Sequence, residues 1–375
     1  MRILVASAFE ASSPLAHAIN TAKMAQGFAR LGHDVTLVCI RAEKGRISPE
    51  ELSEIYGLTE PIHWIQLPRK ILGCAIDQHW RFAFPALYVL LRTRPQLVYS
   101  RNYIFPWLSS RLGFTTAAES HAYPENTTPH FLRLVKATRH RAFCLWVTIS
   151  KHLADHYASL GVPKEKLIVL PDAVDLRLFL RPESLPVNPY STRGPNIAYV
   201  GHLYDYKGIP TILKTAALLP DMRFHIIGGS IEDLTRHQER ARALNLRNVV
   251  FYGLRPHTEI PNFLWHADIL LLPPSQNHPS AVWTSPVKLG EYLASGTPVV
   301  ASDIPALRDW LTDDDVHFVR PDCAKSLAKG IRQLLRNKER SEKLRLSGLE
   351  KAQTLSYKQR AQTIIDLCFE KCSHD

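Results

Sequence analysis

Apolar positions along the chain switch repeatedly between two periods. Residues 2–8 form a nearly continuous apolar run, which is typical of a buried parallel strand. Apolar residues from Leu15 to Ala29 then recur at helical spacing, Gly32 stands where a helix C′ glycine belongs, and residues 34–40 form a second apolar run. This order of strand, helix and strand predicts a βαβ unit, whose two strands are parallel.

The same alternation continues on both sides of one aperiodic segment. Residues 182–196 are rich in Pro, Ser and Asn, which is typical of a linker. We therefore predict an α/β domain over 1–181, a linker over 182–196 and a second α/β domain over 197–355. Both are predicted to be Rossmann-like, doubly wound domains that face each other across a cleft. Because such sheets bind ligands at the carboxyl ends of their strands, the cleft is the predicted ligand site. Strands are predicted at 97–100, 115–119, 146–149, 166–170, 196–200, 223–227, 248–251, 268–272, 298–302 and 316–319.

Composition adds a positive charge to this picture. The 375 residues are 45% hydrophobic and 22% charged, which excludes disordered and fibrous classes, and the formal net charge is +11. A basic balance favours an anionic partner: nucleotide phosphates, an anionic membrane surface or nucleic acid. The longest uncharged apolar run, Phe82–Leu91, is too short to span a bilayer, and no secretory signal follows Met1. We predict a cytoplasmic protein with reduced, mostly buried cysteines and no metal site.

The segment 284–303 carries the clearest candidate chemistry. Its sequence, TSPVKLGEYLASGTPVVASD, predicts a helix over 286–295 with Pro286 at N1 and a cap at Thr284 or Ser285. The first amides of such a helix could bind phosphates, and Glu291 on the second turn could accept hydrogen bonds from a ribose diol. The alternative is a well-capped surface helix whose Glu291 is merely solvated. The candidate phosphate residues are Ser285, Pro286, Val287 and Lys288.

A second candidate segment, YVGHLYDYKG, ends a predicted strand at Gly201. Lys207 stands at a helix entrance and could reach a diphosphate, and His202 lies on the same loop. Gly228 and Gly229 follow another strand and would let backbone approach a flat base. A solvated lysine and a plain tight turn are the alternatives at these two places. His225, inside its strand, is predicted to be a core residue.

Together these segments resemble family 4 retaining glycosyltransferases of the GT-B fold. YVGHLYDYKG, FHIIGG, FYGLRPHTEIPNFLWHADILLLPPS and SPVKLGEYLASGTPVVASDIP match the family's C-terminal domain in order and spacing across residues 199–305. INTAKMAQGFARLGHDVTLV, VTISKHLADHY and LPDAVDLRLF are similar to parts of the N-terminal domain and the domain junction. By the same resemblance, helix 356–371 packs back onto the N-terminal domain.

The resemblance implies roles for particular residues. Lys207 would bind the donor diphosphate, the 285–288 helix start its phosphates and Glu291 the ribose hydroxyls, while Gly228, Gly229 and the loop of Leu254 and Arg255 would border the base. In the N-terminal half, His121 in AESHAYPE matches the active-site histidine beside the transferred sugar, and Arg101 in VYSRN matches a cleft arginine. For both, a purely structural hydrogen bond is the alternative.

The sequence departs from the family pattern at two positions. Trp283 stands where members commonly carry the first Glu of a Glu-x7-Glu pair that ends at Glu291, and His202 stands where an arginine is common. The first departure leaves the donor sugar open. With a neutral His202, Lys207 and the helix dipole would carry more of the leaving-group charge.

The resemblance implies transfer from a UDP- or GDP-sugar, with retention, to a glycan, lipid-linked or small-molecule acceptor, as in cell-surface polysaccharide or glycolipid synthesis. Without a placed carboxylate nucleophile we predict front-face attack, and without a D-x-D motif we predict transfer that needs no metal or other cofactor. Two other functions stay open: an inactive nucleotide-sugar-binding protein, which Trp283 favours, and a sugar-nucleotide epimerase of related fold.

The acceptor side offers one further prediction. Residues 69–94 combine five basic residues with one acid and four aromatic residues, and residues 133–141 are also basic. Such stretches could lie at the inner face of an anionic membrane, which would make the protein peripheral. They could equally be helices that pack their aromatic residues inward. A nucleic-acid partner is not predicted, because no RNP or zinc signature accompanies the charge.

Overall fold

The computed structural model describes residues 1–69, 78–121, 128–191 and 194–370 of the chain. The chain divides into two compact units, Met1–Ala173 with Tyr357–Asp375, and Val174–Ser356. The first boundary therefore comes before residue 181. The predicted linker lies in the second unit, where Tyr190 is buried in the core.

The described residues contain thirteen strands and fifteen α-helices. The strands are β1 (Arg2–Glu10), β2 (Asp34–Ile40), β3 (His63–Leu67), β4 (Leu97–Ser100), β5 (Thr116–Ser120), β6 (Phe143–Thr148), β7 (Leu167–Val169), β8 (Asn196–Val200), β9 (Arg223–Ile227), β10 (Val249–Gly253), β11 (Ile269–Leu272), β12 (Val299–Ser302) and β13 (His317–Val319). The helices are α1 (Ala16–Ala29), α2 (Pro49–Ile55), α3 (Gln78–Thr93), α4 (Phe105–Arg111), α5 (Pro129–Ala137), α6 (Lys151–Ser159), α7 (Leu176–Phe179), α8 (Ile209–Leu218), α9 (Ile231–Ala243), α10 (Ile260–Trp265), α11 (Lys288–Ala294), α12 (Pro305–Arg308), α13 (Ala324–Arg336), α14 (Lys338–Thr354) and α15 (Tyr357–Glu370).

Each unit is built on one parallel sheet. The first sheet has the order β3-β2-β1-β4-β5-β6-β7 and the second the order β10-β9-β8-β11-β12-β13. Every strand pair is parallel. In both sheets the third, second, first and fourth strands of the unit are consecutive, which is the doubly wound Rossmann order. The predicted fold class is confirmed.

Both faces of each sheet are buried, which explains the continuous apolar runs. In β1, Ile3 and Val5 pack into one core and Leu4 and Ala6 into another on the opposite face. In β8 the same division separates Ala198 and Val200 from Ile197 and Tyr199. Successive side chains of a strand point to opposite faces, so two-sided burial requires an apolar residue at every position.

The last helix, α15, belongs to the first unit although the second unit precedes it in the chain. It packs along α1, and a Cβ atom at Gly27 would lie 2.6 Å from the carbonyl oxygen of Tyr357. Only glycine permits this approach. Arg360 on the same helix is buried.

Among the described residues, no helix combines the length and the apolar character that a bilayer crossing requires. Cys39, Cys144 and Cys368 are buried and Cys323 is partly exposed. The other two cysteines, Cys74 and Cys372, lie outside the described residues.

Candidate active site

Three strand ends of the second unit meet in backbone contact. The β9 strand is followed by Gly228, whose N–H donates to the carbonyl of Gly253 at the end of β10. A Cβ atom at Gly228 would lie 2.4 Å from the carbonyl oxygen of Gly201, which follows β8. Gly228 and Gly229 have φ of +110° and +87°, and a Cβ atom at Gly229 would collide with Leu203. The glycine pair is therefore required by the turn itself, whatever ligand lies beside it.

Two lysines and a histidine gather at the end of β8. Lys288 Nζ donates to Tyr199 Oη at 2.8 Å and lies 4.0 Å from the centre of that ring. Burial lowers the pKa of Lys288 well below its usual value, and the Lys207 ammonium lowers it further. Partial desolvation, together with Lys288 and Lys207, also lowers the pKa of His202. Among the described residues, no carboxylate lies within ion-pair distance of either lysine.

Lys207 lies beside a row of four stacked aromatic rings. The rings of His202 and Tyr204 stack at 5.3 Å, those of Tyr204 and Tyr206 at 5.5 Å, and those of Tyr206 and His278 at 3.9 Å. Lys207 Nζ lies 5.0 Å from the Tyr206 ring centre, and burial lowers its pKa. These stacked rings restrict the loop that carries Lys207, so the loop loses less conformational entropy when an anion binds.

The helix start at 285–288 differs from the prediction. Helix α11 begins at Lys288, with Val287 as the residue before it and no side-chain cap. The amide of Thr284 donates to Ser280 and so belongs to the preceding turn, and the amide of Leu289 donates to Pro286. The predicted start at Pro286 with a cap at Thr284 or Ser285 is therefore wrong.

Glu291 is not merely solvated. It is buried, and its Oε1 accepts from His257 Nε2 at 2.9 Å. His257 lies beyond the loop of Leu254 and Arg255, which are both exposed, and its ring contacts Phe179 edge-on at 5.3 Å. His257 thus fixes one carboxylate oxygen of Glu291. Electrostatic attraction also connects Glu291 to Lys288.

His225 is the core residue that its strand position predicts. It is fully buried, its ring stacks on Tyr190 at 4.0 Å, and its nitrogens contact Tyr252 Oη and Asn196 Oδ1 at 3.0 and 2.9 Å. These polar partners account for its burial, so it has no part in the candidate site.

The first unit has a cavity of about 270 Å³ at the ends of β1, β4 and β5. Two predicted residues, Arg101 and His121, line it. This is the point between the first and fourth strands where doubly wound sheets bind ligands. The other lining residues are Ser7, Ala8, His17, His79, Asn102, Tyr103, Glu119 and Ser120.

Glu119 connects the two predicted residues of this cavity. His121 Nε2 lies 2.5 Å from Glu119 Oε1, and Arg101 Nε lies 3.9 Å from the same oxygen. Burial lowers the pKa of Arg101 to about 10, so its guanidinium stays charged at neutral pH. Burial raises the pKa of Glu119, but Arg360 and then His121 outweigh this and bring it to about 2. The cavity therefore combines a fixed cation with a histidine on an ionised carboxylate.

In the second unit the fold brings His202, Lys207, Lys288 and Glu291 together, while Leu254 and Arg255 stand on an exposed loop. Sequence reasoning did not find Tyr199, Tyr206, His257, Glu119 or Arg360. Glu119 could have been noticed, since it is two residues from His121. Arg360 could not, because 241 positions separate it from Glu119.

No three His, Cys, Asp or Glu side chains in the part of the chain that the structure describes are grouped as metal ligands would be. Metal independence stays a prediction.

Two family models match the chain and together cover most of it. Residues 20–178 match Glycosyltransferase Family 4, and residues 181–350 match Glycosyl transferases group 1. The chain belongs to the family 4 glycosyltransferases. This membership confirms the resemblance stated above, and the two doubly wound units are those of the GT-B fold.

The chain is similar in sequence to several bacterial proteins. It is 27% identical over 198 residues to the processive diacylglycerol alpha-glucosyltransferase of Acholeplasma laidlawii, covering 46% of this chain and 58% of that protein. It is 29% identical over 200 residues to a putative colanic acid biosynthesis glycosyltransferase of Escherichia coli K12, covering 50% of this chain and 46% of that protein. The chain thus spans about half the length of the curated relatives it matches.

The fold is shared along the full length with solved structures. Anabaena HepE in complex with UDP superposes with a TM-score of 0.73 at 15% identity, covering 98% of this chain and 99% of that one. At this identity the likeness shows the fold alone.

Proposed function

We propose that this protein transfers a sugar from a UDP- or GDP-sugar to a glycan, lipid-linked or small-molecule acceptor in polysaccharide or glycolipid synthesis. The second unit would bind the donor, and the first would supply Arg101 and His121. The observation that carries the proposal is the pair Lys207 and Lys288, two neighbouring ammonium groups without a carboxylate at ion-pair distance among the described residues. Two amine groups with no carboxylate at ion-pair distance among the described residues favour a diphosphate as their partner.

The donor contacts follow from the same residues. Lys207 and Lys288 would bind the diphosphate, with His202 neutral beside them, and the backbone at Ser285, Pro286 and Val287 would lie next to it. Glu291, oriented by His257, would accept from the ribose hydroxyls, and Gly228, Gly229, Leu254 and Arg255 would border the base. HepE, the Anabaena protein of similar fold, has been crystallised with UDP and with UDP-glucose, which supports a UDP-linked donor here.

The proposed reaction retains the anomeric configuration and proceeds by attack on the front face of the sugar. Glu119 is the one carboxylate that lines the cavity of the first unit, as far as that unit is described, and both its oxygens accept from other side chains. It is therefore a poor nucleophile, which supports a mechanism without a glycosyl-enzyme intermediate. As the bond to phosphate breaks, Lys207 and Lys288 would stabilise the growing negative charge without requiring a metal ion.

The first prediction tests the donor site by thermal unfolding with UDP, GDP, ADP and their common sugars. One nucleotide series is expected to raise the unfolding midpoint, since a ligand at a hundredfold excess over its dissociation constant adds about 2.7 kcal/mol of stability. The shift should disappear in Glu291→Ala, which loses the ribose acceptor, and persist in Glu259→Ala, an exposed carboxylate that lies in a short turn of the same unit.

Three outcomes separate the candidate functions. Stabilisation with transfer to an acceptor supports the proposal. Stabilisation without transfer or hydrolysis would favour the inactive binding protein, for which Trp283 is the argument, and release of an epimerised sugar would favour the epimerase. The absence of any shift would contradict nucleotide binding in this unit.

We further propose that the first unit binds an anionic membrane surface peripherally, on the cytoplasmic side, through helices α3, α4 and α5. Phe84, Tyr88 and Leu91 stand at i, i+4 and i+7 on α3 and are 50%, 66% and 52% exposed. The same helix packs Phe82 inward, so it is apolar on two faces. Of the predicted basic aromatic stretch 69–94, residues 70–77 lie outside the described residues and are not part of this proposed surface.

Charge supports this surface. Helices α3, α4 and α5 contain no acidic residue and are neighbours in the fold. Their basic residues include Arg92, Arg111 and Lys136. Apolar side chains with basic neighbours and no acids are the composition that binds anionic lipid headgroups.

The second prediction tests this surface by sedimentation with vesicles. The protein should sediment with vesicles of phosphatidylcholine and phosphatidylglycerol, and less with phosphatidylcholine alone or at 1 M salt. Replacing Phe84, Tyr88 and Leu91 by serine should lower the partition coefficient by at least about tenfold, since the loss of even one buried apolar side chain costs about 1.5–3 kcal/mol. Ile231→Ser, at an exposed apolar residue of the second unit, should change nothing. Equal sedimentation of the triple variant, or preferential binding to polynucleotide at physiological salt, would contradict the proposal.

A further inference from the structure

A buried series of polar contacts connects the last helix to His121. Arg360 on α15 donates from Nη1 to Glu119 Oε2 at 2.7 Å and to Tyr99 Oη at 3.2 Å. Its other nitrogens donate to the carbonyls of Pro171 and Leu170 at 3.1 and 3.3 Å. The guanidinium is therefore held from several sides and has one orientation.

Glu119 transmits this orientation to the histidine. Its Oε2 accepts from Arg360 and from the Tyr99 hydroxyl, and its Oε1 lies 2.5 Å from His121 Nε2. An ionised carboxylate has no proton to donate, so a hydrogen bond to it requires a proton on Nε2. The neutral form of His121 is then the Nε2–H tautomer, and its Nδ1 is an acceptor.

Among the described residues, His121 Nδ1 has no partner at hydrogen-bond distance. The carboxylate oxygen that faces it, Asp172 Oδ1, lies 3.8 Å away, which is longer than a hydrogen bond. Asp172 Oδ1 itself accepts from Asn20 Nδ2. The His121 side chain is 20% exposed and lines the cavity of the first unit, whereas Glu119 and Arg360 are almost wholly buried.

We propose that Arg360 and Glu119 are positioning residues for sugar transfer: they fix His121 as the Nε2–H tautomer, so that Nδ1 can accept a hydrogen bond from a sugar hydroxyl. The sugar in this statement rests on the proposed function, whereas the tautomer does not. Both act through His121: Arg360 does not line the cavity, and both oxygens of Glu119 already accept from other side chains. The return of the chain to the first unit as α15 thereby contributes a part of the site and not only packing.

The third prediction reads the tautomer directly in Glu119→Gln. The glutamine carbonyl should face the Arg360 and Tyr99 donors, which turns its NH₂ towards His121 Nε2. Nε2 must then accept, and the proton moves to Nδ1. Nitrogen-15 NMR of the histidine side chains, assigned with His121→Gln, should show Nε2–H in the unaltered protein and Nδ1–H in Glu119→Gln. Because the wrong tautomer removes the acceptor, kcat should fall by about 10²-fold or more, with little change in KM for the donor.

A second substitution separates orientation from simple destabilisation. In Glu119→Gln combined with Arg360→Met the guanidinium is gone, so the amide can rotate its carbonyl back to His121, and the Nε2–H tautomer and part of kcat should return. Arg360→Leu, which also removes the donor, serves in the same combination if the methionine variant does not fold. Lys358→Met, at an exposed cation of the same helix, should leave tautomer and kcat unchanged.

The outcomes distinguish this inference from the proposed function. An Nδ1–H tautomer in the unaltered protein, or an unchanged tautomer in Glu119→Gln, would overturn the positioning role. So would a changed tautomer with unchanged kcat. If the tautomers behave as expected but no sugar nucleotide is a donor, the proposed function fails while the coupling of Arg360 to His121 stands.

Discussion

Lys207→Ala is expected to lower kcat/KM for sugar transfer by about 10²–10³-fold, the usual cost of losing one preorganised charge partner of a transition state. Lys207 adjoins Lys288 and His202, and burial lowers its pKa, so its ammonium is poorly solvated before a ligand binds. A diphosphate leaving group gains negative charge as the sugar departs, and Lys207 is placed to stabilise that charge. Steady-state kinetics with the donor identified by thermal unfolding provide the measurement.

The matched control is Lys214→Ala, at an exposed lysine on α8 of the same unit. It removes the same charge from the same unit and should change kcat/KM less than twofold. If Lys207→Ala keeps the donor affinity and the turnover of the unaltered protein, Lys207 is an ordinary surface lysine and the diphosphate assignment is wrong.

Lys288→Met is expected to stabilise the unliganded protein at pH 7 while abolishing most of the stabilisation by nucleotide. The pKa of Lys288 is lowered in the fold, first by burial and then by Lys207, so keeping this residue charged costs free energy when no anion is present. Methionine has a similar length and carries no charge.

The sign of the pH dependence follows from linkage. A lysine whose pKa is lower in the folded than in the unfolded state destabilises the fold fully at pH values below the folded pKa. That penalty decreases as the pH rises from the folded pKa towards the unfolded value of 10.5. The advantage of Lys288→Met in urea unfolding should therefore be smaller at pH 9.5 than at pH 7, whereas Lys214→Met should show no such trend.

Nucleotide binding supplies an independent measurement of the same group. A diphosphate beside Lys288 should raise its pKa again, so binding near the lowered pKa should take up protons. Calorimetric titrations in two buffers of different ionisation enthalpy would detect this uptake. Release of protons, or an equal uptake in Lys288→Met, would contradict the assignment.

The two helical segments 286–295 and 356–371 illustrate what local sequence can and cannot predict. Both helices exist, but α11 begins at Lys288, because the amide of Leu289 bonds to the carbonyl of Pro286, three residues back, as in a tight turn. The boundary depends on competing hydrogen bonds and not on capping propensity alone. Strand β3, at the edge of the first sheet, was not among the predicted strands, because His63 and Gln66 interrupt its apolar pattern.

The predicted linker shows a different kind of error. Its Pro, Ser and Asn content hides Tyr190, which stacks on His225 and donates from its hydroxyl to the carbonyl of Phe263 at 2.6 Å. One aromatic residue in an irregular segment gives no periodic signal, yet it buries a large apolar surface. The composition of a segment thus does not determine whether its backbone belongs to a core.

The sequence by itself determined the doubly wound units, because strands buried on both faces have continuous apolar runs. It also determined the strand-end positions of Arg101, His121 and His202 and the position of Lys207 at a helix entrance. Tertiary structure alone decided which groups complete each site. It places Lys288 beside Lys207, His257 on Glu291, and Arg360 on Glu119. These pairings join residues far apart in the chain, and hydrogen bonds and charge act over a few ångströms of space. Only the folded chain brings such partners within that range.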